Sequence, residues 1–280
     1  MSHGLTSRRL SASEWAISSA VVEVATPVNF VGGINVVSGA TAGVPGAWTE
    51  VHAGVPTDID RLTVCCVSST AISNASSSML LDIGVGPAGA EVAVIESMPT
   101  GFNPSGRPVL AVLPCSIAEG SRVAYRTRGE STRTSWGVDF DTVFGVTTGM
   151  QTANPVAFGA DTATCAGVTI DNPPTTNTKG AWTEIIASTP ARLKGIHIGP
   201  GINGTASAAN STCLVDIGAG PAGNETVIVS DVPMYVSTSE TVTRPISLVA
   251  CDIPPGERVS ARYSRTATQR LDLILHGVPA

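Results

Sequence analysis

Two stretches of the chain have the glycine spacing of a phosphate-binding loop. Gly84-Val-Gly86-Pro-Ala-Gly89 and Gly218-Ala-Gly220-Pro-Ala-Gly223 both match G-x-G-x-x-G. In a dinucleotide site these glycines let the backbone approach a pyrophosphate, and the N-terminus of the following helix receives its charge. That chemistry needs a buried strand before the motif and a helix after it. Here the motif is followed by Glu91-Val-Ala-Val-Ile95 and Glu225-Thr-Val-Ile-Val229, and Pro99 and Pro233 close these runs. Both runs are strand-like, with no room for a crossover helix. The spacing therefore predicts a hairpin whose loop uses glycine for positive φ, and no cofactor is expected.

Other residue types that could do chemistry fare similarly. Asp82 and Asp216, Glu50 and Glu184, and Glu91 and Glu225 recur as pairs. Neither an EF-hand nor a repeat-type calcium pattern surrounds them, so they are expected to cap loop amides or to pair with arginine. His3, His52, His197 and His276 occupy no shared place and have no nucleophile motif beside them; they are expected at the surface or at strand ends. Cys65, Cys66, Cys115, Cys165, Cys213 and Cys251 include no C-x-x-C pair and no histidine at ligand spacing, which leaves a zinc site unsupported. Residues 1–20 lack the apolar core of a secretory signal, so the cysteines are expected as reduced, buried thiols. No catalytic residue, metal site or enzymatic activity is expected.

The basic residues are fourteen Arg against two Lys, Lys179 and Lys194. Arg122, Arg126, Arg128 and Arg133 cluster in one region, and Arg258, Arg262, Arg265 and Arg270 in a matching one. Arginine makes planar, bidentate contacts and suits interfaces; a solvated strand face with partners inside the domain is the alternative. Arg126, Arg128, Arg262 and Arg265 are candidate interface residues on this ground, together with Arg8, Arg9 and Trp15 near the N-terminus. Trp48 and Trp182 are expected in core or inter-sheet packing, with a sugar-stacking platform as the alternative.

What must position these residues is a duplicated unit. Gly46-Ala-Trp48-Thr-Glu50 returns as Gly180-Ala-Trp182-Thr-Glu184, 134 residues on. At the same offset, residues 80–99 match 214–233 at ten of twenty positions. Cys115 and Gly120-Ser-Arg122-Val pair with Cys251 and Gly256-Glu-Arg258-Val. A period above 100 residues means tandem domains rather than a solenoid. The expected organisation is an N-terminal arm over 1–28, a first unit over 29–146, a linker over 147–162 and a second unit over 163–280.

Within each unit, short runs rich in Val, Ile and Thr are bounded by Gly, Pro, Asn or Ser. Arg122-Val-Ala-Tyr-Arg126-Thr-Arg128 alternates with the period of a half-buried strand. Seven or eight such strands per unit predict an all-β chain of two antiparallel β-sandwiches, jelly-roll-like. In the arm, Ser11-Ala-Ser-Glu14 fits a capping box, and a short helix is expected near 12–20. Charged residues are only 14% and the net charge is −6. That balance argues against nucleic-acid binding, and no apolar run is long enough to insert in a membrane.

The combination of Gly-Ala-Trp-Thr-Glu, Leu-x-Asp-Ile-Gly-x-Gly-Pro-Ala-Gly-x-Glu, a following Pro and Gly-x-Arg-Val resembles β-sandwich modules of tailed-bacteriophage virion proteins. The resemblance covers both units and not the arm. It implies a structural component of the virion (head, neck, tail, fibre or decoration protein), multimeric in the particle, with capsid, neck or tail proteins as partners. It transfers no catalytic residue. A low-charge tandem β chain suits subunits that bury surface against neighbours. The rival reading is a module that binds a host receptor or a host-surface glycan through its loops.

Overall fold

The computed structural model of the chain describes residues 19–20, 34–68, 79–100, 109–129, 137–147, 153–201, 211–236, 246–267 and 270–280. Among these residues every regular element is a strand, and every pairing is antiparallel. The first half holds β1 (Ser19–Ala20), β2 (Ile34–Val37), β3 (Thr49–His52), β4 (Ile59–Ser68), β5 (Met79–Val85), β6 (Val92–Thr100), β7 (Val109–Ile117), β8 (Val123–Gly129) and β9 (Gly137–Thr147). The second half holds β10 (Val156–Phe158), β11 (Val168–Ile170), β12 (Thr183–Ile186), β13 (Leu193–Gly201), β14 (Ser211–Ala219), β15 (Thr226–Val236), β16 (Ile246–Ile253), β17 (Val259–Arg265) and β18 (Leu271–Pro279).

Four sheets result. In the first half, β1-β9-β4-β7, with β2 also on β9, faces β3-β8-β5-β6. In the second half, β10-β18-β13-β16, with β11 also on β18, faces β12-β17-β14-β15. Each facing pair encloses one apolar core. Leu62, Val64, Leu113 and Ile117 meet Leu81, Ile83, Val123 and Tyr125 in the first. Ile196, Ile198, Leu273 and Leu275 meet Val215, Ile217, Ala261 and Tyr263 in the second. Alternation along the strands assigns the faces: Met79, Leu81 and Ile83 point into the core, so Leu80, Asp82 and Gly84 lie on the outer face of the same sheet.

That outer face is not free in the first half. Leu80 packs with Cys165 and Ile274 of the second half. A Cβ on Gly199 would run into the Pro99 ring, and His276 Nε2 lies 2.9 Å from the Glu96 carbonyl oxygen. The outer face of β3-β8-β5-β6 thus rests on the outer face of β10-β18-β13-β16.

Several placements differ from the expectations above. β10 falls inside the expected linker, yet Val156, Ala157 and Phe158 are in register with Gly277, His276 and Leu275 of β18. A three-residue strand carries too little alternation to be seen in sequence. Ser19 and Ala20, at the end of the expected helix, form a strand in register with Thr147 and Val146; the rest of that helix, and most of the arm, lie outside the described residues. His197 and His276 are not surface residues but are 1% and 0% exposed. Their neighbours on β13 and β18 are apolar, and the docked first sandwich closes the face on which His276 sits.

Candidate functional site

The two glycine motifs form the β5–β6 and β14–β15 hairpins. Gly86 and Gly89 have φ of 125° and 83°, and Gly220 and Gly223 of 120° and 81°, values that favour glycine. The Ala90 amide donates to the Pro87 carbonyl at 3.0 Å, and the Asn224 amide to that of Pro221 at 2.9 Å. A strand follows each loop, so the helix terminus that a pyrophosphate would need does not follow the glycines.

Next to each hairpin stands a buried carboxylate, on the outer face of β5 or β14. The register of β5 on β6 passes from Leu81↔Met98 to Ile83↔Ile95, so Asp82 stands opposite both Glu96 and Ser97. This is a β-bulge, which leaves a backbone amide without its ladder partner. Ser97 takes φ of 54° there, and its amide donates to Asp82 Oδ1 at 2.8 Å. Asp82 Oδ2 accepts from Arg126 Nε at 2.8 Å and Arg128 Nη2 at 2.5 Å. The guanidinium of Arg126 lies over the Trp48 ring, 4.3 Å from its centroid, within cation–π range. Below the ring is Gly84, where a Cβ would come within 2.7 Å of Trp48 Cη2.

The second sandwich repeats the arrangement with one change. Asp216 stands opposite a bulge whose Asp231 has φ of 55°. The Asp231 amide donates to Asp216 Oδ1 at 2.9 Å, Arg262 Nε donates to Oδ2 at 3.0 Å, and Arg262 lies 4.4 Å from the Trp182 centroid. In place of a second arginine, Lys179 Nζ lies 2.6 Å from Asp216 Oδ1 and 2.9 Å from Asp231 Oδ1. Burial raises the Asp216 carboxyl, but the hydrogen bonds from Lys179, the Asp231 amide and Arg262 outweigh it and hold the group below the usual carboxylate range.

The remaining repeated carboxylates are paired as well. Arg122 Nε and Nη1 donate to Glu50 and Glu91, both at 2.7 Å. Arg258 does the same with Glu184 at 2.7 Å and Glu225 at 2.6 Å. Burial pushes Glu91 and Glu225 up, and the adjoining arginine brings each below its ordinary value. Among the described residues no three His, Cys, Asp or Glu side chains cluster as metal ligands. Cys115 and Cys213 are buried core thiols, and burial raises that of Cys115.

Of the residues singled out from sequence, Arg126 and Arg128 meet on Asp82, and Arg262 on Asp216. Arg265 Nη1 and Nη2 donate to Asn172 Oδ1 at 3.2 Å and the Pro173 carbonyl at 3.1 Å. Arg8, Arg9 and Trp15 lie outside the described residues. Trp48 and Trp182 are half-buried on outer sheet faces rather than in the core. Sequence reasoning missed Ser97, and it named Pro99, Lys179 and His276 without a role on these faces, where all four matter. The recurrence of Pro99 as Pro233 was a signal for one of them.

No family model matches the chain, and no curated protein does. Solved structures give weak likenesses. PNGF-II is 9% identical, with 94% of this chain and 64% of that chain covered and a TM-score of 0.34; this chain thus spans less than two thirds of it. The STIV MCP, a virus capsid protein, is 10% identical over 88% of this chain and 95% of its own, with a TM-score of 0.33. The tandem CBM51 modules of a family 98 glycoside hydrolase from Streptococcus pneumoniae are 14% identical over 83% and 84%, with a TM-score of 0.20. Such scores carry no argument about function.

Proposed function

We propose that the chain is a non-enzymatic structural component of a tailed-phage virion, of the head, neck or tail accessory or fibre type. In this reading it is an internal duplication of one jelly-roll sandwich, and it assembles through its N-terminal arm and its sandwich faces. The observation that carries the duplication is strand order. The order β2-β9-β4-β7 facing β3-β8-β5-β6 recurs as β11-β18-β13-β16 facing β12-β17-β14-β15. β1 and β10 take the same edge position on β9 and β18, so each unit begins earlier than the sequence match suggests. Double-sheet sandwiches of this order are jelly rolls, a fold used by virus coats and by lectins. Fold alone does not give function; the virion reading adds the resemblance of the repeated Asp-Ile-Gly and Gly-Pro-Ala-Gly block.

A structural role fits the chemistry of the repeated groups. Asp82, Asp216, Glu91 and Glu225 are each spent on arginine or lysine and on backbone amides, so none stands ready as a base or nucleophile. The glycan reading is weaker, because Trp48 and Trp182 have one ring face on glycine and the other under an arginine. The experiment is to probe purified particles of the parent phage with an antibody to this chain. Labelling of intact virions is expected, and it is lost when residues 2–18 are deleted, a truncation that keeps β1 (Ser19–Ala20) on β9 and leaves the sandwiches folded. Particles free of the chain would overturn the virion reading, and normal incorporation of the truncated chain would overturn anchoring by the arm.

A further inference from the structure

Two histidines lie in the joint between the sandwiches. His276 on β18 and His197 on β13 are register partners. Both rings stand on the outer face of that sheet, away from the core residues Ile196 and Leu275. The first sandwich closes this face. Leu80 packs there with Cys165 and Ile274 and is fully buried, whereas its counterpart Leu214 is 38% exposed. One hydrogen bond crosses from the ring to β6, where His276 Nε2 meets the Glu96 carbonyl oxygen at 2.9 Å. A carbonyl only accepts, so Nε2 carries the hydrogen and the neutral ring has a bare Nδ1. That atom, like Nδ1 of His197, is buried and without a hydrogen-bond partner among the described residues. The two rings meet edge to face, with centroids 6.0 Å apart.

His276 can therefore gain a proton only at Nδ1, which makes a buried cation with an N–H that nothing accepts. A proton on His197 adds a like charge beside it. The carboxylates on the surrounding elements are exposed or already spent. β10 has no titratable group. β6 has Glu96, and the loop after β10 has Asp161, both with exposed side chains. On β5, Asp82 is taken by Arg126 and Arg128 of β8. On β16, Asp252 is taken by Arg192 and Lys194, and burial pushes the Cys251 thiol up to about 12. On β18, Asp272 is taken by Arg270. We propose that His197 and His276 make the joint an acid-released latch: protonation of the pair parts the β10-β18-β13-β16 sheet from the first sandwich while both cores stay folded.

In the closed joint burial lowers His197 to about 3 and His276 to about 4, while a histidine in water titrates near 6.5. The parted form thus takes up protons that the closed form refuses, and acid favours it from about pH 6.5 downward. Between pH 7 and pH 5 each histidine shifts the balance about twentyfold, and the pair about five-hundredfold. Each core, in contrast, is built of apolar residues, tyrosine and cysteine, none of which titrates in this range. The latch depends on the joint alone, not on a place in the virion.

Cys165 reports on the joint, and Cys115 and Cys213 on the first and second cores; all three are fully buried. The full chain is pulsed with dithiodipyridine, a thiol reagent that works at acid pH. Peptide mass spectrometry then reads each cysteine against the urea-unfolded chain at the same pH. From pH 7 to pH 5 the Cys165 rate is expected to rise about five-hundredfold, while Cys115 and Cys213 stay protected. His197→Gln should cut the rise to about twentyfold. The double variant H197Q/H276Q, whose amide still offers an N–H to the Glu96 carbonyl, should abolish it. Circular dichroism checks the fold, and His197→Gln alone carries the test if the double variant does not fold. A Cys165 rate equal at both pH values overturns the proposal. So does a rise shared by Cys115 and Cys213, which would mean global unfolding, and so does a rise that His197→Gln leaves undiminished.

Discussion

Asp82 is a carboxylate whose place is set by its neighbours on three sides: a bulge amide, two guanidiniums and, through Arg126, an indole ring. Buried ion pairs add little net stability when intact, yet removing one partner leaves uncompensated charge at a cost of about 3–5 kcal/mol. Asp82→Ala strands both Arg126 and Arg128, which are 26% and 13% exposed, together with the Ser97 amide. Chemical denaturation should show a loss in that range, and a change below about 1 kcal/mol would remove the claim that the cluster holds the bulge. Gly84→Val is a separate residue-scale test. The added side chain enters the space of the Trp48 ring, so tryptophan emission should shift toward that of a solvated indole. An unchanged spectrum would mean that Trp48 does not rest on Gly84.

At the scale of the element, the bulges on β6 and β15 put a non-glycine residue in left-handed backbone at Ser97 and Asp231. That conformation costs an L residue roughly 1–2 kcal/mol, and β-branched residues suffer most. Ser97→Gly should therefore leave stability unchanged or raise it slightly, while Ser97→Val should lower it by about 1–2 kcal/mol beyond any packing effect. Equal melting temperatures for the two variants would show that the bulge relaxes. The bulge also turns the Glu96 carbonyl toward His276, so a local irregularity of one strand takes part in joining the two sandwiches.

At the scale of the whole molecule, two buried histidines give the fold a pH dependence. Burial pushes His197 down to about 3, with the neighbouring His276 adding to the effect; burial likewise lowers His276 to about 4 despite its bond to the Glu96 carbonyl. The two rings lie 6.0 Å apart, centroid to centroid. An unfolded histidine titrates near 6.5. The unfolded chain therefore takes up protons that the folded chain refuses, and stability falls as pH drops from about 6.5 toward 4. At about 1.4 kcal/mol per pH unit and per group, the pair loses up to about 5 kcal/mol between pH 6.5 and 4.5. Denaturation at pH 7 and pH 5 should show the drop, and His197→Gln should reduce it. The depressed carboxylates Asp216, Glu91 and Glu225 act in the same direction only at lower pH, as they begin to take protons. A flat profile between pH 7 and 5 would mean that the histidines are hydrated.

The sequence by itself determined that both halves are built of β-strands, as the described residues are, that the glycine motifs turn hairpins, and that one block of residues occurs twice. Each of these is a local property: strand alternation, the positive φ that glycine tolerates, and identity at a constant offset. The pairing of Asp82 with arginine was also legible in kind, since a carboxylate and arginines recur together in both halves. Which arginine meets which carboxylate was not, because that depends on strand register and on a bulge that adds one residue to β6. The short edge strands β1 and β10 escaped because two or three residues show no period. The outer-face position of Trp48 and Trp182 escaped because a tryptophan beside a strand reads as core until the opposing glycine is known. Leu80 and Leu214 mark the limit most clearly. They are the same amino acid in the same motif, and one is buried while the other is exposed, because burial of an outer sheet face depends on whether another sandwich lies against it.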